Sequence, residues 1–110
     1  MWQPFDKGQT IGTSGSESGI ILFDEEHVDG ARITLERDGY TPFAITCGIY
    51  GWMMHTRFFA NEEDVRRAYE DMKQALDSII QSIPLESDPD CDAKMKATMR
   101  AIAKFMERYP

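Results

Sequence analysis

The segment ARITLERDGYTPFAITCGIYGWMMHTRFF, residues 31–59, decides the fold class. Ala31, Ile33 and Leu35 alternate with Arg32, Thr34 and Glu36, the period of a strand with one wet face. Asp38-Gly39 follows, a dipeptide suited to the positive φ angles of a hairpin turn. Phe43, Ile45 and Cys47 then share one face of a second strand, with Ala44 and Thr46 on the other. An unbroken strand would carry the Phe43 face on through Met53, His55 and Arg57, which is poor core. A change of phase between Gly48 and Gly51 instead puts Trp52, Met54, Thr56 and Phe58 inside and His55 and Arg57 outside. A hairpin at that point is favoured over one bent strand.

Outward from this segment the pattern changes on both sides. Upstream, Ile20-Ile21-Leu22-Phe23 reads as a short strand buried on both faces, and Asp24 to Gly30 as the turn that returns the chain. Residues 1–19 form a loop-rich arm, with glycines and hydroxyl residues concentrated over 8–19 and Thr10-Ile11 as a short pairing segment. Downstream, Asn61 caps a helix over 61–83, whose first turn carries Glu62, Glu63 and Asp64 at the positive end of the dipole. Val65, Ala68, Tyr69, Met72, Leu76, Ile79 and Ile83 form its apolar stripe, and Pro84 ends it. Asp88-Pro89 opens a second helix over 88–109, with Met95, Met99, Ile102, Met106 and Tyr109 as its stripe and Phe105 beside it. Strands first and helices last indicate an α+β fold: one domain, 1–110, with an antiparallel four-stranded meander over 20–59 and two C-terminal helices on one face. No helix separates the strands, so parallel crossovers are excluded.

Charge narrows the function. The chain has 110 residues and a formal net charge of −7, with 12 Lys and Arg against 19 Asp and Glu. This balance argues against nucleic acid, which needs a basic face, and against an electrostatic hold on anionic lipid. The acid excess sits early: residues 1–30 hold six acids and one base, while residues 84–110 hold five of each. Cys47 and Cys91 are too few for a disulfide framework and indicate a reducing, cytoplasmic setting. The first residues carry no secretory signal pattern, and no apolar run is long enough to span a membrane.

Several groupings bear on chemistry. Glu25, Glu26 and His27 lie in an acidic run that would suit a divalent metal or acid–base work, although a solvated hairpin loop needs such residues anyway. No zinc motif such as H-E-x-x-H or C-x-x-C accompanies them. Cys47 with His55 or His27 is the remaining nucleophile–base pairing. A tight turn would place Cys47 opposite Trp52 and His55 about 10 Å along the partner strand, out of reach. Gly12-Thr13-Ser14-Gly15-Ser16 lacks the Gly-Lys-Ser/Thr of a P-loop and fails the nucleophile-elbow pattern.

The stretch 40–59 is richest in aromatic residues, holding six of twelve. Tyr50, Trp52, Met54, His55 and Arg57 are candidates for an interface or an apolar ligand groove. Lys96, Arg100, Lys104 and Arg108 form a basic row on the last helix, suited to acidic side chains or to solvent. The expectation is a non-catalytic interaction module, without cofactor or metal, that self-associates as a homodimer through 40–59. The alternative is a small-ligand-binding protein or minor enzyme whose site joins Tyr50, Trp52, His55 and Arg57 to the Glu25–His27 loop.

Overall fold

Alternating patterns become strands when a neighbour takes their backbone hydrogen bonds, and in this chain each strand pairs with the next. The computed structural model describes residues 1–110. Its elements are β1 (Trp2–Pro4), β2 (Ile20–His27), β3 (Ala31–Arg37), β4 (Phe43–Ile49), β5 (Met53–Phe59), α1 (Glu62–Ser82) and α2 (Cys91–Arg108). All five strands are antiparallel in the order β1-β2-β3-β4-β5. The α+β class and the meander stand, but the sheet has five strands rather than four. The additional strand is three residues long and includes Pro4. It is too short to show a period and exists only because Trp2, Gln3 and Pro4 lie against His27, Glu26 and Glu25.

β2 is also longer than its apolar run. It continues through Asp24, Glu25, Glu26 and His27, leaving only residues 28–30 to turn the chain. The register slips between Ile21 and Phe23, a bulge that re-aims the side chains. Ile21 is consequently buried while Ile20 and Phe23 are exposed, so this run is not the doubly buried strand expected. The Asp38-Gly39 turn is looser than a two-residue hairpin as well. Asp38 takes a φ of +59°, and its amide closes a wider loop onto Pro42 O at 3.0 Å.

The β4–β5 hairpin is present, closed by Trp52 N–H on Ile49 O, with Gly51 at φ +81° as the third residue of a type II turn. Its phase is the reverse of that expected. Three linking residues pair Ile49 with Met53, Cys47 with His55, Ile45 with Arg57 and Phe43 with Phe59. Met53, His55, Arg57 and Phe59 therefore share the face of the apolar β4 residues, and Met54, Thr56 and Phe58 lie on the opposite face. An edge strand tolerates this arrangement because long polar side chains reach past the rim of the core. The Arg57 guanidinium lies 5.0 Å from the Phe59 ring centre and 5.9 Å from that of Tyr109, and His55 Nε2 meets Tyr109 O.

The core lies between the sheet and α1. Ala31, Ile33, Leu35, Ile45, Cys47 and Ile49 meet Val65, Tyr69, Met72, Leu76 and Ile79. Asn61 caps α1 as expected, its side chain accepting from Asp64 N at 2.9 Å. α2 begins at Cys91 rather than at Asp88. Asp88 Oδ2 instead accepts from Leu85 N at 3.0 Å and pairs with Lys94 at 3.4 Å, holding the link between the helices. α2 is also rotated. Of the expected stripe, Tyr109 is buried and Ile102 and Met106 pack against the core beside the buried Phe105, while Met95 and Met99 are exposed and Thr98 is buried in their place. The cause is polar: Thr98 Oγ1 donates to Ser82 O at 3.0 Å and lies 3.0 Å from Ser82 Oγ, which turns Thr98 inward.

Candidate functional site

The face of the sheet away from the helices is partly covered by residues 10–19, and what they leave uncovered is a groove of about 620 Å³. Small residues make its floor: Thr34 of β3, and Thr46 and Gly48 of β4. Tyr50 and Trp52 from the hairpin, Met54 from β5 and Ile21 from β2 supply apolar walls, and Ser14, Gly15 and Ser16 form the rim. Ser16 Oγ lies 3.3 Å from Thr46 Oγ1, which in turn lies 3.2 Å from Thr56 Oγ1, so hydroxyls run across the sheet.

Arg32 also lines the groove. Its Nε donates to Asp24 Oδ1 at 2.9 Å and its Nη2 to Oδ2 at 2.7 Å, a two-pronged pair geometrically well matched. Thr10 Oγ1 adds a third bond to Asp24 Oδ2 at 2.8 Å, and the Phe5 ring centre lies 3.5 Å from the guanidinium carbon. The hydrogen bond with Asp24 raises the Arg32 pKa further, against the opposing effect of burial. The buried Asp24 is thus paired inside the protein, and Arg32 is held in place as part of the groove wall.

The arm is anchored by Glu36, which is buried. Its Oε1 accepts from Glu17 N and Gly19 N, both at 3.0 Å, while Oε2 has no partner. Gly15 sits directly over that oxygen, and a Cβ there would collide with it.

The residues expected to form a site divide between the two faces. Tyr50, Trp52 and Met54 meet in the groove. His55 and Arg57 lie on the helix side with Tyr109 and Phe105. Glu25 and His27 are also on the helix side, but at the β1 end of the sheet, and Glu26 is on the opposite face. They are strand residues with structural partners, not a solvated loop. Tyr69 Oη donates to Glu25 Oε2 at 2.6 Å and Lys73 Nζ to Oε1 at 3.1 Å. Burial and the Glu25 carboxylate both push the Tyr69 phenol upward. Glu26 Oε1 accepts from Gln3 Nε2 at 3.3 Å. His27 is buried, its Nδ1 accepting from Asp29 N at 3.1 Å. Its Nε2 lies 2.6 Å from Asp77 Oδ1 and 2.7 Å from the Met1 ammonium, with the Trp2 ring edge-on at 5.2 Å. No group of three or more His, Cys, Asp or Glu side chains is placed to hold a metal ion.

Cys47 and His55 are cross-strand partners, closer than the tight-turn reading allowed. The pairing does not make a nucleophile. Burial pushes the Cys47 thiol up to about 12, so it stays protonated, and His55 Nε2 is engaged by Tyr109 O. Of the basic row, Arg108 pairs with Asp71 at 2.7 Å, whereas Lys96, Arg100 and Lys104 are exposed without an ion-pair partner.

Sequence reasoning missed Arg32, Thr34, Thr46 and the serines of the arm as groove residues, and Asp24 as the partner that fixes Arg32. The alternation of β3 marks Arg32 and Thr34 as outward-facing, but nothing local shows that the arm folds back over them. Comparison with protein-family models, characterised proteins and solved structures found no match. No helix is long and apolar enough to cross a membrane.

Proposed function

We propose that the protein is a non-catalytic interaction module that self-associates as a homodimer through the segment 40–59. The observation that supports this reading is the exposure of large apolar side chains from that one segment. Met54 is 79% exposed and Phe58 48%, on the same face of the edge strand, and Tyr40 and Tyr50 are exposed on the turns at either end of β4. Apolar and aromatic surface gathered in one place is what an interface centre requires. The unpaired Cys47 and Cys91 support a reducing, cytoplasmic setting. Sedimentation across a roughly hundredfold range of concentration tests the reading by mass action. The wild type is expected to move toward twice its 12.6 kDa mass. Met54→Ser with Phe58→Ser is expected to stay monomeric while keeping the helical circular dichroism. A wild type that remains monomeric throughout overturns the proposal.

A second reading rests on the groove. At about 620 Å³ it falls within the volume range of small-molecule sites. Its hydroxyl floor and aromatic walls suit a neutral, partly aromatic ligand. A fragment screen read by chemical shift should place hits on Tyr50 and Trp52, and hits scattered elsewhere would refute it.

A further inference from the structure

β5 is the outer strand on one side of the sheet, and its outward backbone groups have no strand partner. Sheet edges are normally blunted by short length, proline, charge or a bulge. The opposite edge follows that rule: β1 has three residues, one of them Pro4. β5 does not. It has seven residues, Met53-Met54-His55-Thr56-Arg57-Phe58-Phe59, with no proline, glycine, lysine or acid, and its ladder with β4 is regular throughout.

We infer that β5 pairs antiparallel with β5 of a second copy of this chain, about a twofold axis beside Thr56, to make one continuous ten-stranded sheet. The inference rests on the self-association reading and adds its strand and register. In an antiparallel ladder opposed residues are of one kind, both hydrogen-bonded or both not, so the twofold must fall on a residue facing its own copy. Among those registers only the one centred on Thr56 pairs all seven residues. It sets Met53 against Phe59 and Met54 against Phe58, so methionine meets an aromatic ring on both faces of the sheet. Thr56 meets Thr56, and His55 meets Arg57. Shifting the centre to His55 or Arg57 leaves two residues of each strand unpaired and breaks both Met–Phe matches. A perpendicular twofold also keeps the helices of both copies on one side, so the exposed Met54 and Phe58 meet their counterparts on the groove side.

Charge favours the same edge. The chain carries −7 overall, which opposes contact between copies over most of the surface. β5 contains no acid and a single arginine, so the two strands approach without opposed carboxylates. At the other edge, β1 runs beside Glu25 and Glu26.

Cysteine pairs in the full chain, in a Cys91→Ser background, test the register. In it residues 54 and 58 of different copies are directly opposed, whereas residue 54 lies four positions, about 13 Å, from its own copy. A disulfide spans Cα separations of only about 4.4–6.8 Å. An equimolar mixture of Met54→Cys and Phe58→Cys chains should therefore oxidise to a mixed dimer on the order of tenfold more than either chain alone. Thr56→Cys should link to itself. Sedimentation of each variant under reducing conditions, with circular dichroism, reports whether it still folds and associates. Association without these links, or with Met54→Cys linking to itself, overturns the register and leaves self-association standing. A wild type that stays monomeric at every concentration overturns both.

Discussion

Cys47 and Glu36 show how an environment assigns a side chain its task. The Cys47 thiol is desolvated between sheet and α1, which pushes it up to about 12. Only the thiolate reacts, so iodoacetamide at pH 8 is expected to modify the half-exposed Cys91 within minutes and to leave Cys47 unmodified in the native protein. Mass spectrometry of the labelled peptides reads the outcome, and rapid native labelling of Cys47 would contradict the burial. Glu36 acts through its backbone partners. Replacing it by alanine leaves the Glu17 and Gly19 amides without their acceptor, at a cost of about 1–3 kcal/mol for each group that stays buried. Glu36→Ala should lower the melting temperature and speed amide exchange over residues 15–19. Gly15→Ala should do the same by pushing a methyl into Glu36 Oε2.

At the scale of elements, polar contacts orient what the apolar pattern only brings together. Thr98 fixes the rotation of α2 by bonding to Ser82 O at 3.0 Å. Thr98→Val keeps the shape and removes that bond, and is expected to destabilise the helix pair by about 1 kcal/mol, measured by urea unfolding. The seam between β2 and α1 carries a second, pH-dependent contribution. Tyr69 Oη donates to Glu25, and its phenol is held above its ordinary 10.0 by burial first and the carboxylate second. The folded state therefore keeps a proton that the unfolded chain loses near pH 10. The resulting stability is complete below that pH and declines as pH rises beyond it. Tyr69→Phe should flatten the alkaline limb of the stability profile, although it is less stable at neutral pH. The local readings of α1 and of the β4–β5 hairpin hold because cap, stripe and turn residues lie within a few positions of one another. The phase of β5 was not legible, since exchanging the two faces of an edge strand costs little when His55 and Arg57 can reach past Phe105 and Tyr109. β1 escaped for a simpler reason: three residues have no period, and Trp2 finds its partner 25 positions away at His27.

For the whole molecule, charge and shape act together. A chain of net charge −7 repels its own copies at long range, and salt screens that repulsion. Self-association through a strand edge without acids is therefore expected to strengthen, not weaken, as sodium chloride rises from about 20 to 200 mM, with sedimentation as the measure. An interface held by ion pairs would show the opposite slope. The candidate residues Tyr50, Trp52 and Met54 were legible as a group because they are close in sequence and too apolar for a turn. Their partners Arg32 and Ser16 were not, because three strands and an arm must fold before those side chains share a groove.

Periodicity, caps and turn residues depend on neighbours within about four positions, and by themselves they determined the α+β class, the strands of residues 31–59, α1 and its buried face, and the absence of a recognisable catalytic motif. What only the tertiary structure decided depends on long-range pairing. It placed β1 beside β2, drew the acidic run Asp24–His27 into a strand by giving its charges partners, rotated α2 onto Thr98, and left β5 as an open edge. The reason is energetic: a buried polar or charged group is tolerable only where a partner is delivered to it, and Asp24 finds Arg32, and His27 finds Asp77, only once the sheet and α1 have assembled.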